Sequence, residues 1–164
     1  NVDIDLGAGD DEIITKTLVA NKTVTINGGA GNDLFDVRGS KTDVDASKYV
    51  VIGDVSGGDK IKFDALVQAS GFERVQDNVV KDATTLKEAI NLAIESNQSA
   101  SPILNKVFYF TYAGDTYVVH NAASTAVGIK DTLTANDTVV KLAGVRSDDL
   151  ILTADYTEGT LNIN

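Results

Sequence analysis

The chain has 164 residues, 43% of them hydrophobic, with 14 basic against 24 acidic residues and a formal charge of -10 at pH 7. That length supports one compact core or two small units sharing one, and the negative balance repels phosphate backbones and anionic lipid surfaces, which excludes nucleic acid as an expected partner. With no Cys there is no disulfide framework, thiol nucleophile or thiolate zinc site.

No apolar run approaches the roughly 20 residues that cross a bilayer as a helix, so no membrane-spanning segment is expected. The chain opens without Met, in mid-strand and without a cationic-then-apolar signal segment, which suggests a piece of a longer protein. Of the acidic residues 19 are Asp and 5 are Glu. Helices do not favour that skew; turns, caps and hard-cation sites do.

Over the first 64 residues short β-favouring runs alternate with Gly/Asp turns: Val2 to Leu6, Glu12 to Leu18, Thr23 to Ile26, Leu34 to Val37, Tyr49 to Ile52 and Ile61 to Phe63. Strands this short bury no face singly. The expected assembly is a coil of repeated units, each covering the next, with a cap at its end. From Ala65 glycine thins out, and Thr84 to Ser96 places Leu86, Ala89, Ile90, Ala93 and Ile94 at helical spacing. Thr85 with Glu88 matches a capping box, and Pro102 follows the helix end. The apolar stripe of this helix is expected to pack on the neighbouring sheet.

Val107 to Tyr112 and Thr116 to His120 then flank Ala113-Gly114-Asp115, the pattern of a β-hairpin, and further strands are expected at Thr138 to Leu142 and Leu161 to Ile163. Phe108, Tyr109, Phe110, Tyr112 and Tyr117 are expected to alternate between core and solvent, with a sugar-stacking surface as the competing reading. His120, the only histidine, reads as an edge residue at a strand end. One histidine makes neither a zinc cluster nor, without a placed nucleophile, a triad, so no catalysis is expected of this segment.

The chemistry lies in the glycine turns. Gly28-Gly29-Ala30-Gly31-Asn32-Asp33-Leu34-Phe35-Asp36 fits every fixed position of the nonapeptide G-G-x-G-x-D-x-U-x, where U is large and apolar. Leu6-Gly7-Ala8-Gly9-Asp10-Asp11-Glu12-Ile13-Ile14 repeats it with one glycine replaced, and Asp54-Val55-Ser56-Gly57-Gly58-Asp59-Lys60-Ile61-Lys62 repeats its second half. Glycines permit positive φ and turn carbonyl oxygens inward, Asp supplies a hard anionic oxygen, and the apolar position fills the interior. A phosphate-binding loop would not surround its anion with Asp10, Asp11 and Glu12, and an EF-hand would need a 12-residue loop between helices. A metal-free β-solenoid stays as the plain alternative, at the cost of stacked carboxylates that repel one another.

These three turns resemble the RTX family of calcium-binding proteins. The resemblance implies a mainly β fold: a short parallel β-roll (RTX β-solenoid) over residues 1–64, followed by a β-rich carboxy-terminal cap over 65–164 with one amphipathic α-helix at about 84–96. The turn aspartates Asp11, Asp33 and Asp59 are 22 and 26 residues apart, longer than the family's coil of about 18 residues. The excess is expected in loops around 20–22 and 38–48, leaving calcium on one edge only.

Carried over by position, the family pattern implies a first Ca²⁺ site from the carbonyls of Gly7, Gly9, Gly28 and Ala30 with the carboxylates of Asp11 and Asp33. It implies a second from the carbonyls of Gly29, Gly31, Asp54 and Ser56 with those of Asp33 and Asp59, so that Asp33 bridges both ions. Asp54 and Val55 depart from the pattern, because glycines are expected there and Val55 resists positive φ.

The passage Tyr49 to Leu66 resembles the coil that closes such rolls. Ala113 to Val119 and Asn136 to Val145 resemble the carboxy-terminal region of type I secreted bacterial proteins. The implied function is that of a calcium-dependent structural module from a surface-layer or adhesin-like protein, secreted to the cell surface by type I secretion machinery and able to self-associate in an array. A non-catalytic tail of an extracellular enzyme, such as a serralysin-type metalloprotease or a lipase, is the alternative.

Overall fold

The computed structural model describes residues 1–64, 72–97, 106–122 and 131–164. The chain is mainly β, as expected. Its elements in order are β1 (Val2–Asp5), β2 (Glu12–Ile14), β3 (Val24–Asn27), β4 (Leu34–Asp36), β5 (Val50–Ile52), β6 (Lys60–Lys62), β7 (Phe72–Arg74), α1 (Asp77–Val80), α2 (Leu86–Ser96), β8 (Lys106–Tyr112), β9 (Asp115–Asn121), β10 (Thr138–Leu142), β11 (Leu152–Asp155) and β12 (Thr160–Ile163).

The first six strands pass alternately between two sheets. β1, β3 and β5 pair in parallel, with Val2 opposite Val24 and Val24 opposite Val50. β2, β4 and β6 do the same in the other sheet, with Glu12 opposite Leu34 and Leu34 opposite Lys60. The register therefore advances by the same 22 and 26 residues that separate the turn aspartates. The additional residues sit where expected. One group makes a tight turn at Asn21, closed by Lys22 N–H on Val19 O at 3.1 Å. The other forms the segment in which the Asp43 carboxylate accepts from the amides of Asp45 and Ser47.

Both sheets are mixed rather than purely parallel. β10 joins β5 in parallel and pairs with β9 antiparallel, completing a seven-stranded order β1-β3-β5-β10-β9-β8-β7. β12 pairs antiparallel with β6, completing a five-stranded order β11-β12-β6-β4-β2. The parallel strands and the carboxy-terminal strands thus share both sheets. β7, β11 and the single turn of α1 had no counterpart in the sequence reading, and the expected long strand from Glu12 stops at Ile14.

Two apolar cores flank the seven-stranded sheet. Between the sheets lie Ile26, Phe35, Ile52, Ile61, Phe63, Val140, Leu142 and Leu161, all but fully buried. On the opposite face Ala89, Ile90, Ala93 and Ile94 of α2 pack with Phe108, Phe110 and Val119. The helix stripe is core, as its spacing predicts. The aromatic strand departs from expectation: Val107 and Tyr109 face the inter-sheet core while Phe108 and Phe110 face α2. β8 alternates between two cores rather than between core and solvent, because a helix covers the face that a two-layer protein would leave wet.

Candidate calcium site in the stacked turns

The turns joining β1 to β2 and β3 to β4 lie one above the other on one edge of the sheets. In the first, Gly7 and Gly9 hold φ of +94° and +128°; in the second, Gly29 and Gly31 hold +91° and +143°. Glycine is needed at 29 and 31 for space as well as for dihedral angle. A Cβ on Gly29 would stand 1.7 Å from the Gly7 carbonyl oxygen, and one on Gly31 would stand 2.0 Å from that of Gly9. This close approach lets Ala30 N–H donate to Gly7 O at 2.9 Å and Gly9 N–H donate to Ala30 O at 2.8 Å.

The aspartates form a ladder up this edge. Asp33 Oδ1 accepts from the Asp11 amide at 3.0 Å, and Asp59 Oδ1 accepts from the Asp33 amide at 3.0 Å. Asp33 is 1% exposed and Asp59 2%. The other oxygen of Asp33, Oδ2, is seated against Gly28, 2.2 Å from where a Cβ would stand. It is buried without a hydrogen-bond partner, and so is Asp11 Oδ2. Burying an unpaired polar group costs roughly 1–3 kcal/mol, and a charged one costs more. No Lys or Arg pairs with Asp10, Asp11, Asp33, Asp54 or Asp59 among the described residues.

Gly7, Gly9, Asp11, Gly28, Ala30 and Asp33 are thus brought together in two adjacent layers. Their donors are carbonyl and carboxylate oxygens, a hard set that suits Ca²⁺ and not a thiophilic or imidazole-seeking metal. Gly7 O and Ala30 O each accept one backbone hydrogen bond and keep a second lone pair. No cluster of three or more His, Asp or Glu side chains suited to a metal occurs among the described residues. A cation between these turns would rely mainly on backbone oxygens, with Asp11 Oδ2 and Asp33 Oδ2 as its anionic partners.

The third turn is built differently. Both Asp54 oxygens accept backbone amides, Oδ1 from Gly28 at 2.8 Å and Oδ2 from Gly29 at 2.9 Å. Asp59 Oδ2 accepts from the Ser56 amide at 2.8 Å and from Ser56 Oγ at 3.2 Å. Ser56 Oγ also lies 3.5 Å from Gly31 O. The family pattern implies carbonyl ligands at Asp54 and Ser56, whereas here the Asp54 carboxylate and the Ser56 hydroxyl make the contacts to the turns.

Two further residues belong to the ladder and were missed. Asp10 Oδ1 accepts from the Asn32 amide at 2.8 Å, and the Asn32 side chain covers Gly58. The repeat gives no signal for them, because both occupy its fifth position, which the pattern leaves unconstrained.

His120 is not an edge residue. β9 lies between β8 and β10, and the imidazole is fully buried with neither ring nitrogen hydrogen-bonded, its centroid 5.8 Å from that of Phe63. Burial pushes its pKa down to about 4, the nearby Lys41 charge pushes the same way, and Asp64 opposes both. Tyr117 is likewise buried, and burial pushes its phenol pKa up. No family model matches the chain, and comparison with curated proteins finds no significant relative.

Proposed function

We propose that this chain is a calcium-binding structural module, non-catalytic in itself, whose first 64 residues act as a short RTX-type β-roll. The observation that carries the reading is the pair of buried, unpaired carboxylate oxygens on Asp11 and Asp33, in turns whose backbones stack directly on one another. The full burial of the only histidine, with neither ring nitrogen hydrogen-bonded, supports the non-catalytic part.

The parent protein in this reading is a bacterial surface-layer or adhesin-like protein exported by type I secretion. In calcium-poor cytosol Asp10, Asp11 and Asp33 repel one another and hold the turns apart. Outside, Asp11 and Asp33 close on a cation and the coils stack. Metal affinity then contributes folding free energy, which suits a chain exported unfolded.

Circular dichroism melts in chelator and in millimolar calcium test this. With calcium at about 100 times its Kd, stabilisation of about 2.7 kcal/mol raises Tm by roughly 5–10 °C. Identical melts and identical strand signal in the two conditions would overturn the reading.

A further inference from the structure

The turns carry two inter-turn junctions, and the structure satisfies their carboxylates unequally. At the first junction Asp11 Oδ2 and Asp33 Oδ2 are buried and unpaired. At the second, protein donors take both oxygens of Asp59 and both of Asp54. The Asp33 amide, the Ser56 amide and the Ser56 hydroxyl serve Asp59; the amides of Gly28 and Gly29 serve Asp54. These carboxylate oxygens are satisfied by protein donors without any cation, whereas Asp11 Oδ2 and Asp33 Oδ2 have no such donor.

The backbone gives an independent reason. Positive φ occurs at the second and fourth repeat positions of the first two turns, Gly7 with Gly9 and Gly29 with Gly31. In the third turn the corresponding residues are Val55 and Gly57, and neither has positive φ; Gly58, at the fifth position, does instead at +109°. Val55 also packs against the core between the sheets. The third turn therefore does not present the Asp54 and Ser56 carbonyls as the first two turns present theirs. Its chain path is that of a hydrogen-bonded loop.

Resting on the calcium reading above, we infer that the chain takes a single calcium ion, at the Asp11–Asp33 junction, and that the Asp54, Ser56 and Asp59 side chains are a metal-free lock in place of a second ion. The lock fixes the second turn onto the third through Gly28, Gly29 and Asp33. The first coil then needs the cation to settle on a second coil already in position. Asp33 serves both junctions, with Oδ2 facing the ion and its amide held by the lock.

Calorimetric titration of the full chain with calcium chloride decides the matter, together with hydrogen exchange measured with calcium and with chelator. The expected results are one ion per chain, none for Asp11→Asn, one for Ser56→Ala with affinity within about threefold, and calcium-dependent protection at 2–14 and 28–34 but not at 54–62. Two ions in the unsubstituted chain, an ion that survives Asp11→Asn, or equal new protection at 54–62 would overturn the inference while leaving the calcium reading in place. Absence of any binding would overturn both. Hydrogen exchange needs no substitution, so a poorly folded variant does not decide the outcome.

Discussion

Gly9, at the fourth repeat position of the first turn, and Gly29, at the second position of the next, differ in their surroundings. Both hold positive φ, yet a Cβ on Gly9 meets nothing within 4 Å whereas one on Gly29 strikes the Gly7 carbonyl. Gly9→Ala should cost only the dihedral strain, roughly 1–3 kcal/mol. Gly29→Ala must also drive the first two turns apart, so its loss of stability should be the larger in denaturant titrations. Equal losses would mean that the turns are not stacked this closely.

His120 carries a residue-scale prediction of pH dependence. Its folded pKa of about 4 lies below the ordinary value of 6.5, so the unfolded chain takes up the proton first as pH falls. The stability that comes from keeping the ring neutral is complete above about 6.5 and is lost as pH falls toward 4. Roughly 2 kcal/mol should disappear between pH 7 and 5. His120→Leu should flatten that slope in melts at the two pH values; an unchanged slope would place the titration elsewhere.

Among the elements, α2 combines a local signal at its cap with a buried face that packs on the neighbouring sheet, as its spacing predicts. Thr85 Oγ1 accepts from the Glu88 amide at 3.2 Å, as a capping box requires. The return bond goes one residue further back, with Glu88 Oε2 accepting from the Thr84 amide and hydroxyl, and these bonds hold the Glu88 carboxyl below the usual range. Thr85→Ala should cost about 1 kcal/mol. Ile90→Ala, on the buried face against Phe108 and Phe110, should cost roughly 2–5 kcal/mol. Thermal melts should therefore rank the buried position well above the cap. The same helix explains why the aromatic strand was misread: alternation gives a period of two, but not whether the second face meets water or another layer.

At the scale of the whole molecule, the carboxy-terminal strands extend the sheets begun by the repeats. β12 lies on β6 and β10 on β5, so the last parallel strand of each sheet is covered rather than left as an open edge. The other end is different, for β1 and β2 are outermost in their sheets and largely exposed. A calcium ion at the Asp11–Asp33 junction would act on this less supported coil. That is the part of the fold where a modest binding energy changes order most.

The sequence by itself determined the mainly β character, the six short strands of the first 64 residues, the offsets of 22 and 26, the amphipathic helix and the hairpin. All of these rest on local periodicity, turn residues and spacing, which act over a few residues or repeat along the chain. β7 and β11, the mixed composition of both sheets, the burial of His120 and the side-chain roles of Asp54 and Ser56 were decided by tertiary structure. Each depends on residues distant in sequence: which strand lies alongside, which layer covers a face, and which amide reaches a carboxylate first. The aspartates were legible as a set from their spacing. Which of their oxygens are satisfied by protein, and which stay unpaired, depends on how the turns stack.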